Sequence, residues 1–284
     1  ATTAQGTGTI AKRTLTVGSV TAQTKTYDGT TAADAAAFRA TLGNVVAGEE
    51  NLVAATAAGA AYNDKNVAKA SKVNYTGVAL TGAGAGNYTI ANTAEGAGTI
   101  TKRALTLAAA AGQTFDKVYD GTTHADAAAL KKGGNYTLSN FADGEGAGIT
   151  LTGTGTYMDK NVGTHAVTYT GLMLTGEGAG NYRLNTATLT GTGKITHRTL
   201  TLTADARSIV QGEPLPSFTG RAEGFADGED ASVFGTDGLT FESTVKNTET
   251  PGSYGVTGRI GSVTDGVLGN YRIRQAAGNA TAFT

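Results

Sequence analysis

The chain repeats itself, and that limits what it can fold into more than any other property. Lys25-Thr26-Tyr27-Asp28-Gly29-Thr30-Thr31 returns 92 residues on as Lys117-Val118-Tyr119-Asp120-Gly121-Thr122-Thr123. Tyr62-Asn63-Asp64-Lys65-Asn66-Val67 returns at an offset of 95 as Tyr157-Met158-Asp159-Lys160-Asn161-Val162. Gly84-Ala85-Gly86-Asn87-Tyr88 returns at an offset of 94 as Gly178-Ala179-Gly180-Asn181-Tyr182, and a weaker third copy ends in Gly269-Asn270-Tyr271. A fourth landmark stands in all three copies: Val46-Ala47-Gly48-Glu49, Ala142-Asp143-Gly144-Glu145 and Ala226-Asp227-Gly228-Glu229. Four markers in one order at nearly constant offsets predict three structural units of about 90 residues each.

A further recurring run sets the boundaries: Ile10-Ala11-Lys12-Arg13, Ile100-Thr101-Lys102-Arg103 and Ile195-Thr196-His197-Arg198. Residues 1–11 then read as the closing strand of a preceding repeat, 12–101 as the first repeat, 102–196 as the second and 197–284 as a diverged third. On this reading the native protein has further copies.

Gly, Ala and Thr make up about half of the 284 residues, while Phe numbers 8, Tyr 11, Met 2 and Trp 0. One deep core cannot be assembled from so few large apolar side chains. Cysteine is absent, which excludes disulfides, thiolate metal sites and thiol nucleophiles; it suits a secreted protein that crosses a membrane unfolded. The net charge is −1 with both signs interspersed, so nothing steers the chain towards nucleic acid or anionic membranes. No apolar run reaches the roughly 18–20 residues of a membrane span. The expectation is a monomer with no nucleic-acid partner and no membrane insertion.

The local pattern is mostly β. Leu105 and Leu107 alternate with Thr106, as Leu200 and Leu202 do with Thr201 and Thr203, the period of a half-buried strand. The Ala-rich runs Ala32 to Ala40 and Ala125 to Leu130 leave room for a short helix in each repeat, capped by Asp34 or Asp126. No linker separates the repeats. Ile100 and Leu105 are five apart, as are Ile195 and Leu200, and Ile10 and Leu15; such pairs lie on opposite faces of a strand. The strand therefore turns its apolar side from one core to the next around Arg13, Arg103 and Arg198. The expected fold is a tandem array of three small β-sandwich-like domains, joined stiffly end to end as an elongated rod.

Candidate chemistry is sparse. Tyr27-Asp28-Gly29 and Tyr119-Asp120-Gly121 read as turns, with Asp bonding the backbone two residues on and Gly at positive φ, over a core tyrosine. Asp64-Lys65-Asn66 and Asp159-Lys160-Asn161 read likewise as turns, and Asn87-Tyr88, Asn181-Tyr182 and Asn270-Tyr271 as turn residue plus core aromatic. Calcium is the one ion worth considering, because oxygen ligands are almost the only ones present, and Asp227, Glu229 and Asp230 are the first place to look. His124 aligns with Ala32, His165 with Ala70, and His197 with Lys12 and Lys102, so no histidine recurs and each reads as a surface substitution. Without Cys, a partnered His or a nucleophile motif, no catalytic, cofactor or metal residue is assigned, and the chain reads as non-enzymatic.

Tyr-Asp-Gly-Thr-Thr, Asp-Lys-Asn-Val, Gly-Ala-Gly-Asn-Tyr and Ile-Thr-Lys-Arg-Ala-Leu-Thr in that order resemble the YDG-type repeat of large bacterial surface and secreted adhesins, including filamentous-haemagglutinin-like proteins exported by two-partner secretion. The resemblance covers Lys12 to about Thr196. The last unit departs from it, with Gln211-Gly212-Glu213-Pro214-Leu215-Pro216 in place of the Tyr-Asp-Gly turn, and is similar to the related MBG-type repeat. The resemblance implies a stalk in a cell-surface or biofilm-matrix adhesin. Such a stalk holds a binding region away from the cell, with extracellular polysaccharide or a host or neighbouring cell surface engaged by other parts of the full-length protein. The alternative is a glycan- or partner-binding β module using exposed Tyr and Thr faces, with Tyr62, Tyr75, Tyr157 and Tyr169 as the stacking platform.

Overall fold

Alternation in the sequence becomes alternation in burial. In the strand Lys72–Thr76, Val73 and Tyr75 are buried while Lys72, Asn74 and Thr76 face solvent. In a computed structural model, which describes residues 2–3, 5–112, 114–235, 238–261 and 266–284, the protein is built of short strands in small sheets, with only brief 3₁₀ turns between them. Ala1 and Ala4 of the expected closing strand lie outside the described residues.

The chain gathers into two compact units. The first comprises residues 1–107, 138–151 and 173–186, and the second 108–137, 152–172 and 187–284. The first unit thus holds the whole first copy with three segments of the second, and the second unit holds the rest of the second copy with the third.

In the first unit, the strand Thr93–Thr101 runs between Gln23–Thr26, its parallel neighbour, and Lys72–Thr76, its antiparallel one, with Gly59–Tyr62 completing the sheet. Phe38, Tyr62, Val73, Tyr75 and Ile100 are buried, and the Phe38 and Tyr75 rings lie 4.7 Å apart. A separate core forms at the start of the same copy, where Leu15, Val53 and Tyr88 pack with Leu42, Val45 and Leu80. Arg103–Ala109 opens the second copy, pairing in parallel with Tyr182–Leu184.

The second unit repeats these arrangements. Leu189–Thr196 lies between Lys117–Val118, parallel, and Gly163–Thr175, antiparallel. Arg198–Ala204 pairs in parallel with Tyr271–Gln275 and antiparallel with Gly220–Glu223. The last copy has its own small core of Phe241, Val256, Ala282 and Phe283. Scarce aromatic and aliphatic residues are thus spent on several small cores, as the composition requires.

The change of face at the boundaries is present. Ile100 and Leu105 are both buried, on strands separated by Lys102 alone, and Ile195 and Leu200 are likewise buried on either side of His197. Ile100 is paired with Lys25 of one sheet and Leu105 with Leu184 of another, so one nearly continuous run serves two cores. Arg103, at the turning point, is fixed by donating from Nε to the Asn140 carbonyl (2.7 Å) and from Nη2 to Asn140 Oδ1 (2.9 Å).

The first boundary differs. Leu15 is buried, but Ile10 is fully exposed and residues 5–12 form no strand. The closing strand of the other copies is held by hydrogen-bonded neighbours on both sides, and residues 5–12 have none among the described residues.

The short helix expected in each Ala-rich run is a single 3₁₀ turn, Ala35–Ala37 and Ala127–Ala129. Their caps are as expected: Asp34 accepts from the Ala36 N–H (2.9 Å) and Asp126 from the Ala128 N–H (2.8 Å). Each turn stops where a large apolar side chain is drawn inward. Phe38, extended at φ −61° and ψ 120°, and Leu130 are both buried. A nine-residue helix has too little intrinsic stability to resist that.

Candidate functional site

The Tyr-Asp-Gly segment is a turn, held by a lysine two residues before the tyrosine. Asp28 Oδ1 accepts from the Thr30 N–H (2.9 Å), and Gly29 takes φ +83°. Lys25 Nζ donates to Asp28 Oδ1 (2.8 Å) and to the Thr30 and Ala32 carbonyls (2.9 Å each), above the Tyr62 ring. Lys117 makes the same set with Asp120 Oδ1 (2.7 Å) and the Thr122 and His124 carbonyls, above Tyr157. The hydrogen bonds and the cation–π contact make the loop rigid, and the tyrosine leaves it in a fixed direction.

That direction leads into the following copy. Tyr27 Oη donates to Glu145 Oε1 (2.7 Å), and Tyr182 Oη donates to Glu145 Oε2 (2.5 Å). The two rings meet edge to face with centroids 5.3 Å apart. In the second unit Tyr119 donates to Glu229 Oε1 and Tyr271 to Glu229 Oε2, both at 2.6 Å, with rings 5.6 Å apart. Tyr182 and Tyr271 also accept the Ala142 and Ala226 backbone N–H groups (3.2 and 2.8 Å). One carboxylate therefore joins two buried phenols, one from each copy, in short charge-assisted hydrogen bonds.

A second tie lies beside the first. Asn181 Oδ1 accepts the Val67 N–H (2.9 Å), and its Nδ2 donates to Asn66 Oδ1 (2.9 Å). Asn270 treats Val162 and Asn161 in the same way, at 2.7 and 2.9 Å. Asn66 and Asn161 are themselves positioned by Asp64 and Asp159, whose Oδ1 atoms each take a backbone N–H and a side-chain N–H. Asn181 and Asn270 are buried; their amides are fully used, as burial of a polar group demands.

Burial, reinforced by the bond to the carboxylate, pushes Tyr182 and Tyr271 up to about 12 and raises Tyr27 and Tyr119 as well. For Glu145, burial pulls upward, but the hydroxyls of Tyr182 and Tyr27, with Lys65 nearby, outweigh it and hold its pKa below the usual value. The signs decide the pH response. Unfolded tyrosine ionises near pH ~10, so above that the unfolded state binds fewer protons and stability falls until the folded pKa values are passed. On the acid side, the contribution of Glu145 is present above the ordinary glutamate pKa and is lost as pH falls through its lowered one. The urea midpoint is expected to hold steady from neutrality to about pH 9 and to fall steeply above ~10, with the phenolates of Tyr27, Tyr119, Tyr182 and Tyr271 forming only as the chain unfolds. Early phenolate absorbance from these four tyrosines at full stability would contradict the site.

The other residues singled out from the sequence fall elsewhere. Asp227 is exposed, Glu229 is bonded to its two tyrosines, and Asp230 caps a 3₁₀ turn at the Ser232 N–H (2.9 Å). In the run named as the first place to look for calcium, Glu229 and Asp230 thus have separate partners, and no group of three or more His, Asp or Glu converges among the described residues. Tyr62, Tyr75, Tyr157 and Tyr169 are buried; they are core residues, not a stacking platform, because the alternation of their strands turns them inward. His124 and His197 are exposed, and His165 lies with Nε2 2.7 Å from the Asn161 carbonyl. The role of Glu145 and Glu229 escaped the sequence reading. The available signal was that the glutamate, with the glycine before it, recurs in all three copies while the other flanking residues change.

The sequence pattern of the YDG domain matches residues 11–95 and 101–190, well over half of the chain, and that of the MBG domain (YGX type) matches residues 200–281. No curated protein and no solved structure matches the chain.

Proposed function

We propose, from a chain that belongs to the YDG domain family and follows its two YDG copies with an MBG domain, that it serves as a non-catalytic spacer in a bacterial surface or biofilm-matrix adhesin. Its task on this reading is to hold a binding region away from the cell, in a secreted or surface-attached protein. The supporting observation is the way one copy grips the next. A shared carboxylate, a pair of crossed tyrosines and an asparagine pair tie copies that are also joined strand to strand. Rotation of one copy on the other would have to break all of these together, which is what a spacer under load needs.

Burial of Tyr62, Tyr75, Tyr157 and Tyr169 removes the aromatic platform on which the glycan-binding alternative rested. Reproducible sugar binding by this chain on a glycan array would nevertheless overturn the spacer reading. For three domains whose strands of about ten residues span roughly 33 Å each, small-angle scattering is expected to give a maximum dimension on the order of 100 Å. A compact particle of about half that dimension would count decisively against a spacer.

A further inference from the structure

The cradle that receives Tyr27 and Tyr119 is built a third time, around Glu49. Tyr88 Oη donates to Glu49 Oε2 (2.5 Å) and accepts the Val46 N–H (3.2 Å), as Tyr182 and Tyr271 do with their own glutamates and alanines. What the two tyrosines and two asparagine turns cover elsewhere is bare here. Glu49 Oε1 accepts no hydrogen bond among the described residues. Asn87, whose counterparts Asn181 and Asn270 are buried and fully bonded, is exposed with its side chain unbonded among them. Val46 is 40 % exposed, where the equivalent Ala142 and Ala226 are buried.

A second observation points the same way. Gly6-Thr7-Gly8-Thr9-Ile10 has the spacing of Gly96-Ala97-Gly98-Thr99-Ile100 and Gly191-Thr192-Gly193-Lys194-Ile195. In the later copies these glycines are pressed by neighbours: a Cβ on Gly96 would meet Val20 Cγ1 at 2.8 Å, one on Gly98 would meet Val73 Cγ2 at 2.8 Å, and one on Gly191 would meet Phe115 Cε2 at 2.7 Å. Around Gly6 and Gly8 there is nothing within 4 Å, and Ile10 stands fully exposed. These residues are shaped for a core that they do not touch.

We propose that the Glu49–Asn87 face is a docking site for the donor end of a further YDG domain. The tyrosine of that domain's Tyr-Asp-Gly turn donates to Glu49 Oε1. Its Asp-Lys-Asn-Val turn gives a backbone N–H to Asn87 Oδ1 and accepts from Asn87 Nδ2, while Gly6, Gly8 and Ile10 close its sheet. The occupant is a further domain because both donor ends within the chain are engaged, and the MBG domain offers neither loop. The site stands whether the array is a spacer or a binding surface.

The test is an extended chain in which a second copy of residues 11–90 is placed directly ahead of Ala1, so that residues 1–10 supply its closing strand. The amides of Val162 and of the residue equivalent to Val67 in the added copy are both expected to exchange roughly 100-fold or more slower than an open amide. Asn87→Ala, silent in the 284-residue chain, is expected to lower the melting midpoint of the extended chain as much as Asn181→Ala does. A second extension, with residues 102–185 placed ahead of Ala1 instead, guards against a poorly folding first one. Free exchange at the added amide, an Asn87→Ala that stays silent in both extended chains, or failure of both to fold would each overturn the proposal.

Discussion

Glu145→Ala is expected to lower the unfolding free energy by about 2–5 kcal/mol, because two phenols lose an ionised acceptor and no other carboxylate among the described residues bonds to them. Tyr27 and Tyr182 are 1 % and 2 % exposed, so their hydroxyls depend on Glu145 or on water admitted from the cleft lined by Lys65, Asn66 and Glu145. Glu145→Gln keeps one acceptor but turns an amide N–H₂ towards the second hydroxyl, and an intermediate loss is expected. Tyr27→Phe removes a donor and leaves the carboxylate to Tyr182 and Lys65, a smaller loss of about 1–2 kcal/mol. A double-mutant cycle across Tyr27 and Glu145, read by urea denaturation, is expected to give a coupling above about 0.5 kcal/mol. Additive effects, or a Glu145→Ala loss within about 0.5 kcal/mol, would mean that the tie between the copies is incidental to stability.

Gly193→Ala is expected to cost roughly 2–4 kcal/mol, at the upper end of overpacking effects. The added methyl would fall on the Phe115 carbonyl oxygen, and also within 2.7 Å of Tyr157 Cε1 and 2.9 Å of Val167 Cγ2. The carbonyl cannot yield cheaply, since it accepts the Tyr157 hydroxyl. Gly8→Ala, at the matching position with no neighbour within 4 Å, is the control and is expected to change stability by less than about 0.5 kcal/mol. Thermal melts of both variants decide it; a tolerated Gly193→Ala would mean that the closing strand is less tightly packed than described.

What could be read in the sequence was local. The Asp28–Gly29 turn, the inward face of Val73 and Tyr75, and the change of face between Ile100 and Leu105 each depend on residues a few positions apart, and strand period and turn chemistry report them directly. The Ala-rich runs gave only single turns, because helix propensity over so few residues is weaker than the pull of Phe38 and Leu130 towards the core. The site itself was hidden by distance. Nothing near Tyr27 says that its hydroxyl ends on a carboxylate 118 residues later. An acidic run such as Asp227-Gly228-Glu229-Asp230 has the same composition whether it holds a cation or receives phenols. Asn181 was half legible: its backbone makes the expected turn, while its side chain reaches back to the preceding copy. Comparison among the three copies was the remaining resource, since the glutamate is the one acidic residue of the run that all three share.

Each YDG copy bears Tyr-Asp-Gly and Asp-Lys-Asn-Val on one side of its partnership and the glutamate and Asn-Tyr corner on the other, so the pairing is head to tail and has a reading direction. A gene could gain or lose whole copies by unequal recombination, and every new seam would match without a single compensating mutation. The MBG domain presents the receiving half alone, so duplication of YDG copies ahead of it would leave that seam intact.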